Sequence, residues 1–315
     1  MSALREALDE YLAIRRSLGF ELQRVAPYLY DFVSLAEEHG VSHISTELAL
    51  QWARQPATAQ PANWARRLGI VRRFAAWHSA YDPQTEIPPP GLLPHRYRRQ
   101  PPHIYSDEEI ERLVQAAAAL PCSNGLRAAT YSTFFGLLAV TGMRVSEALQ
   151  LDRQDVDLRE GILTIRRTKF GKSRLIPLHS SSREALERYA GRRDAIFPTL
   201  SAPAFFVSER GRRITEWSAR YTFAGISRQV GLRVPAGNHR HGRGPRLHDM
   251  RHRFAARTLI DWYRTGVDVE REIPKLATYL GHVHVNDTYW YIEGVPELLQ
   301  LATERLVDRH EGAGS

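Results

Sequence analysis

The sequence predicts a mainly α-helical protein of two domains with one small β-hairpin. Three observations predict it. Apolar residues recur at threes and fours through most of the chain, one short stretch is rich in β-branched residues on either side of a polar turn, and a proline-rich segment divides the 315 residues into a short part and a long part. A chain of this length is comfortable for two domains, and 43% hydrophobic residues suffice to give each a core.

The first part, residues 1–85, reads as a small all-helical domain. Its apolar positions fall in three helical sets: Leu8, Tyr11, Leu12 and Ile14, then Tyr28, Phe32, Leu35 and Ala36, then Leu68, Val71, Phe74 and Ala75. Residues 86–104 hold Pro88, Pro89, Pro90, Pro94, Pro101 and Pro102, a density that no helix tolerates, with Arg96, Arg98 and Arg99 among them. This stretch is expected to be an extended basic linker whose arginines can meet phosphates. Ser106 and Glu109 form a capping-box signature that opens the second domain, residues 105–294, which mixes helices with the hairpin. The two β-rich runs are ILTIRRT and RLIPL, joined through Lys169, Phe170, Gly171, Lys172 and Ser173. Residues 234–246 are rich in Gly, Pro, His and Arg and read as a loop whose Arg240, Arg243 and Arg246 are candidates for phosphate contact, with a disordered solvated loop as the alternative. Residues 295–315 form a C-terminal amphipathic helix and tail, with Leu298, Leu299, Leu301, Ala302 and Leu306 at its apolar positions.

Composition narrows the partner and the compartment. Lys and Arg total 43 against 35 Asp and Glu, a net charge of +8 that favours a polyanionic partner. Cys122 is the one cysteine, so the chain forms no intramolecular disulfide and no cysteine-based zinc site, which fits a reducing compartment. The first residues carry acidic side chains and no apolar core, unlike a signal peptide, and no window approaches the roughly 20 apolar residues of a membrane span. A cytoplasmic protein is expected.

Three stretches carry candidate chemistry. In LLAVTGMRVSEALQL, Thr141 and Gly142 end one apolar helix and Arg144 stands at the start of the next, where guanidinium donors and free helix N–H groups suit a phosphate. The plainer reading is a surface Arg144–Glu147 pair at i, i+3. In LHDMRHRFAARTL, His248 and Arg251 lie side by side at i, i+3, a titratable base beside a fixed cation; a basic solvated helix face, with His252, Arg253 and Arg257, is the alternative. In the third stretch Leu280, Gly281 and His282 precede Asn286, Asp287, Tyr289, Trp290 and Tyr291. Gly281 ends a helix, Asn286 or Asp287 can cap the next, and tyrosines in such a place are usually core or interface residues.

The order of these motifs, with TGxRxSE first, then a lysine-bearing hairpin, HDxRH, LGH and a tyrosine nine positions after its histidine, resembles the tyrosine recombinase family of phage integrases and Xer-type recombinases. The resemblance is clear over residues 106–292 and looser over the N-terminal part, which is similar to the family's core-binding, DNA-binding domain. It implies a helical core-binding domain followed by a mixed α+β catalytic domain. It also implies a site-specific recombinase that cleaves and rejoins double-stranded DNA through a 3′-phosphotyrosyl intermediate, with neither metal nor nucleotide cofactor.

By that resemblance Arg144 and Arg251 grip the scissile phosphate, Tyr291 is the nucleophile, His248 accepts the tyrosine proton or holds the phosphate, His282 hydrogen-bonds the phosphate, and Glu147 orients the site from behind. Lys169 is the general acid; Lys172, across the turn, is the lesser choice and a backbone contact. Tyr289 remains an alternative nucleophile, pointing to another side of the helix from Tyr291. The resemblance also implies a homotetramer on DNA, with the C-terminal helix exchanged between protomers, and partner recombinases or accessory proteins in some systems. Arg66, Arg67, Arg72 and Arg73, with Trp64 and Trp77 nearby, are the N-terminal candidates for DNA contact, against an ordinary basic helix with buried aromatics. A type IB topoisomerase and a DNA-binding protein that has lost catalysis are the alternative functions.

Overall fold

The computed structural model describes residues 2–95, 101–166, 173–199, 202–234 and 244–312 and divides into two compact units, residues 1–100 and 101–315. The described residues of the first unit form four helices, α1 (Ala3–Ser17), α2 (Ala26–Glu38), α3 (Thr46–Arg54) and α4 (Pro61–His78). Local chemistry sets their starts. Ser2 and Ser45 cap α1 and α3 by accepting from the N–H groups of Arg5 and Leu48, and Pro61 occupies the first turn of α4, where its missing N–H costs nothing. The helices close on Leu8, Leu12, Phe32, Trp52, Val71 and Phe74, the periodic residues of the sequence together with Trp52.

Two of the four arginines expected to touch DNA from α4 are part of this unit's own structure. Arg67 is 9% exposed, its guanidinium lies 3.8 Å over the Trp52 ring, and it donates to the Trp52 carbonyl at 3.1 Å. Arg72 donates to the carbonyls of Pro88 and Pro89 at 2.6 and 2.8 Å. Arg66, lying over Tyr28, and Arg73 are exposed. The Arg72 bonds also alter the reading of the linker. The Glu86 N–H donates to the Ile44 carbonyl at 2.7 Å and Leu93 is buried in the helical core, so the chain is held on this unit as far as Leu93, with Pro88 buried and Pro89 and Pro90 exposed. Arg96, Arg98 and Arg99 lie outside the described residues.

In the second unit α5 (Asp107–Ala118) opens with the Ser106–Glu109 capping box, followed by α6 (Leu126–Thr141) and the short α7 (Val145–Gln150). A three-stranded antiparallel sheet follows, β1 (Val156–Asp157), β2 (Ile162–Ile165) and β3 (Arg174–Pro177), with Leu163 opposite Ile176 and both buried. Lys169 and Lys172 lie between β2 and β3, outside the described residues. Six further helices follow among the described residues: α8 (Ser180–Ile196), α9 (Glu216–Gln229), α10 (Asp249–Arg264), α11 (Val269–Leu280), α12 (Asn286–Gly294) and α13 (Pro296–Gly312).

Helix α6 is buried on most sides, packed against α5, α8 and α10, and this accounts for its nearly continuous apolar sequence. The N-terminal half of α10 is buried too, contrary to a solvated basic face, although Arg257 remains exposed. Arg253 donates to the Tyr105 carbonyl at 3.0 Å and, with Arg257, pairs with Asp107. Helix α13 packs on α10 within the same chain, with Val295 and Leu298 buried and Arg264 paired to Glu297 at 2.7 Å. Neither Asn286 nor Asp287 caps α12. Its N-cap is Val285, and the entry is a tight turn in which the Thr288 N–H donates to the Val285 carbonyl at 2.7 Å.

Candidate active site

Two glycine-terminated helices build the frame of the site. Helix α6 ends on Gly142 in the left-handed conformation, φ 60°, where a Cβ would stand 2.5 Å from the Phe254 ring. That turn delivers Arg144 to the N-cap of α7. Helix α11 ends on Gly281, φ 69°, where the last carbonyls of a helix have no partners within it. Here the partners are guanidinium groups. Arg174 donates to the carbonyl of Tyr279 at 2.7 Å, Arg251 to that of Leu280 at 2.6 Å, and Arg144 to that of Gly281 at 2.8 Å. Three arginines from three separate elements are thus seated on three consecutive carbonyls at the negative end of one helix.

Glu147 sits beneath them. It accepts from the Arg144 backbone N–H and guanidinium, each at 2.8 Å, and from both Nη atoms of Arg174 at 3.0 and 2.7 Å. Burial pushes its carboxyl up, but the hydrogen bonds to Arg174 and Arg144 outweigh this and hold it below the ordinary carboxylate value. The plain i, i+3 pair between Arg144 and Glu147 therefore forms, and the arginine faces the site at the same time.

Arg251 is 2% exposed and donates also to the Gly142 carbonyl at 2.9 Å, which joins the two glycine turns. Burial lowers its pKa; the Tyr291 phenol, hydrogen-bonded to it, opposes that shift and Arg144 adds to it. Tyr291 is 3% exposed whereas Tyr289, two residues earlier on α12, is 41% exposed. The Tyr291 ring stacks on His282, centroids 6.0 Å apart, and meets His252 edge-on at 5.4 Å; His252 in turn meets His248 edge-on at 4.9 Å. The Nδ1 of His282 lies 2.7 Å from the buried Thr288 hydroxyl. Burial first, and the nearby arginines after it, lower His282 to about 4, and burial with its neighbour His248 lowers His252 to about 4. His248 is lowered by burial and by Arg251. The lowered values keep these imidazoles uncharged at neutral pH.

The structure therefore brings Arg144, Glu147, His248, Arg251, His282 and Tyr291 into one contiguous cluster of the second unit. Arg246, expected to meet phosphate, pairs with Asp249 at 2.8 Å. Arg240 and Arg243 fall outside the described residues. Two members of the cluster were not named as candidates. His252 has a signal in the sequence, since it lies at i+4 from His248 and so on the same helix face. Arg174 has none, being indistinguishable by spacing from any strand-opening residue.

The phage integrase family model matches residues 104–296, more than half of the chain. The chain belongs to this family. As a phage integrase family member it stands among the site-specific DNA recombinases. It is 49% identical to a Sinorhizobium fredii protein named integrase/recombinase y4rB, over 99% of each chain. It is 30% identical to the tyrosine recombinase XerD of Caulobacter vibrioides, over 73% of this chain and 70% of the other. Among solved structures, the lambda integrase tetramer bound to a Holliday junction superposes with a TM-score of 0.62 at 18% identity, covering 91% of this chain and 76% of the other, a likeness of fold. The integrase core matched by the family model ends at Pro296, the first residue of α13.

Proposed function

We propose that this integrase cuts and rejoins duplex DNA by making Tyr291 a transient covalent carrier of the 3′-phosphate. Arg144 and Arg251 bind the non-bridging oxygens and stabilise the charge that gathers on them in the pentacoordinate transition state. The Tyr291 hydroxyl attacks phosphorus, the bond to the 5′-oxygen breaks, and a 3′-phosphotyrosyl ester remains. Neutral His248 receives the phenol proton, His282 donates a hydrogen bond to the phosphate, and Lys169 protonates the leaving 5′-oxygen. Attack by a 5′-hydroxyl on the phosphotyrosine reverses these steps and reseals the strand, so ATP is not consumed.

The observation that supports this reading is the burial of the Tyr291 phenol against Arg251 and His282, on the same carbonyl turn that seats Arg144. The partner is double-stranded DNA held by exposed arginines, including Arg66 and Arg73. The working assembly is a homotetramer on two duplexes, and integration, excision or transposition of a mobile element is the biological setting. The test is a nicked duplex spanning the element end, incubated without metal and run on a denaturing gel. A covalent adduct lost in Tyr291→Phe and kept in Tyr289→Phe is the expected result. Loss in Tyr289→Phe alone moves the nucleophile by two residues, and tight binding with no adduct makes the chain a DNA-binding protein of the same fold.

A further inference from the structure

We infer that Arg174 is a positioning residue for the phosphate clamp, holding Glu147 and the 279–281 turn so that Arg144 keeps a free guanidinium edge for the phosphate. The inference rests on the recombinase reading above. Arg174 opens β3, far in sequence from every other residue of the cluster, and yet its guanidinium is fully engaged there. One nitrogen donates to the Tyr279 carbonyl and the other two fork onto the two oxygens of Glu147. Its side chain is 10% exposed against 31% for Arg144. Arg144 thus presents an edge to an incoming ligand, whereas Arg174 is buried behind it.

The charge count explains what this arrangement does. A single buried carboxylate, Glu147, lies between two guanidinium groups, and each of its oxygens accepts one bond from each arginine residue. Were Arg174 absent, the carboxylate would have only Arg144 to neutralise it. A guanidinium and a carboxylate left to each other favour the fork-to-fork pairing, which would turn the Arg144 donors away from phosphate and onto Glu147. The turn adds a second restraint. Tyr279, Leu280 and Gly281 each seat one arginine, so a shift of the turn moves Arg144 and Arg251 together. Gly281 is confined by the same contacts, since a Cβ there would stand 2.9 Å from Arg174 Nη1 and 3.4 Å from Arg144 Nη1.

The test is single-turnover adduct formation on the nicked duplex with Arg174→Gln, Arg174→Lys, Glu147→Gln and the Glu147→Gln/Arg174→Gln double variant. The scissile link is either a phosphodiester or an uncharged methylphosphonate. Arg174→Gln is expected to slow cleavage of the phosphodiester roughly 100-fold, the scale on which a misplaced catalytic group acts, with duplex affinity unchanged. Arg174→Lys keeps the charge and loses the fork, and falls between. The double variant should be no slower than Arg174→Gln, because both residues act through Arg144. On the methylphosphonate, which needs less from the cationic clamp, wild type and Arg174→Gln should nearly converge.

Equal losses on both links, losses that multiply in the double variant, or wild-type cleavage by Arg174→Gln would each overturn the inference. If Arg174→Gln does not fold, Arg174→Lys carries the same comparison of the two links. A wild-type protein that forms no adduct on the phosphodiester defeats the recombinase reading itself, an outcome distinct from an active wild type with an unimpaired Arg174→Gln.

Discussion

Gly281 is asked for a left-handed backbone and for an empty space where two arginines converge. An L residue with a side chain at such a φ costs about 1–2 kcal/mol, and the added Cβ displaces Arg174 and Arg144 as well. Gly281→Ala is therefore expected to lower unfolding free energy by that amount in urea titration and to slow adduct formation by more than the lost folded fraction explains. Unchanged cleavage would show that the turn does not set the arginines. Tyr291 and Tyr289 teach the related lesson that two residues of one type, two positions apart on a helix, have opposite fates. The helix rotates by about 200° between them, which leaves one phenol on Arg251 and the other in solvent.

At the scale of the element, α4 separates arginines that support the fold from arginines open to solvent. Arg67 is packed over Trp52 and bonded to its backbone carbonyl, so Arg67→Ala should destabilise the protein by roughly 1–3 kcal/mol through the lost hydrogen bond and the lost packing. Arg73→Ala should leave stability alone and reduce the salt dependence of DNA binding by about one phosphate contact. Thermal melts and binding isotherms at several salt concentrations distinguish the two, and a reversal of the pattern would return Arg67 to the interface. Helix α13 offers a similar test. Leu298 is fully buried against α10 within its own chain, and Leu298→Ala is expected to cost about 2–5 kcal/mol. A loss near zero for the isolated protein would mean that α13 does not rest there in solution.

The whole molecule carries a pH signature set by its buried imidazoles. His248, His252 and His282 in the site, and His78 in the helical unit, all have pKa values below the ordinary 6.5, chiefly through burial, with His252 and His282 at about 4. The unfolded chain binds protons at these positions as pH falls through 6.5, whereas the folded chain takes them up only at lower pH, at His252 and His282 not until about pH 4. Stability is therefore full above pH 6.5 and declines as pH falls towards 4. Urea midpoints measured between pH 7.5 and 5, above the carboxylate range, should drop, and His252→Gln should flatten the curve. A wild-type midpoint that does not move over this interval contradicts the burial of these rings in their neutral form. The net charge of +8 sets the other global response, a DNA affinity that falls steeply between low and moderate salt.

Taken by itself, the sequence determined the helical class, the division into two parts, the strands on either side of the hairpin turn, the capping box at Ser106 and the two glycine helix ends. These follow from residue spacing and from backbone restrictions that act over a few positions. It also marked Arg144, His248, Arg251, His282 and Tyr291, because the motifs that contain them keep a distinctive order. Only the tertiary structure decided which charged side chains are buried. Arg67 and Arg174 have the same formula as Arg73, and nothing within a few residues of them says that Trp52 or the Tyr279 carbonyl will be their neighbour. Val285, not Asn286 or Asp287, begins α12 because the chain turns tightly out of the Gly281 end of α11. The packing of α13 on α10 depends likewise on surfaces more than thirty residues apart. Burial is a property of the assembled molecule, and it is what separates an arginine that supports the fold or orients the site from one that meets water or DNA.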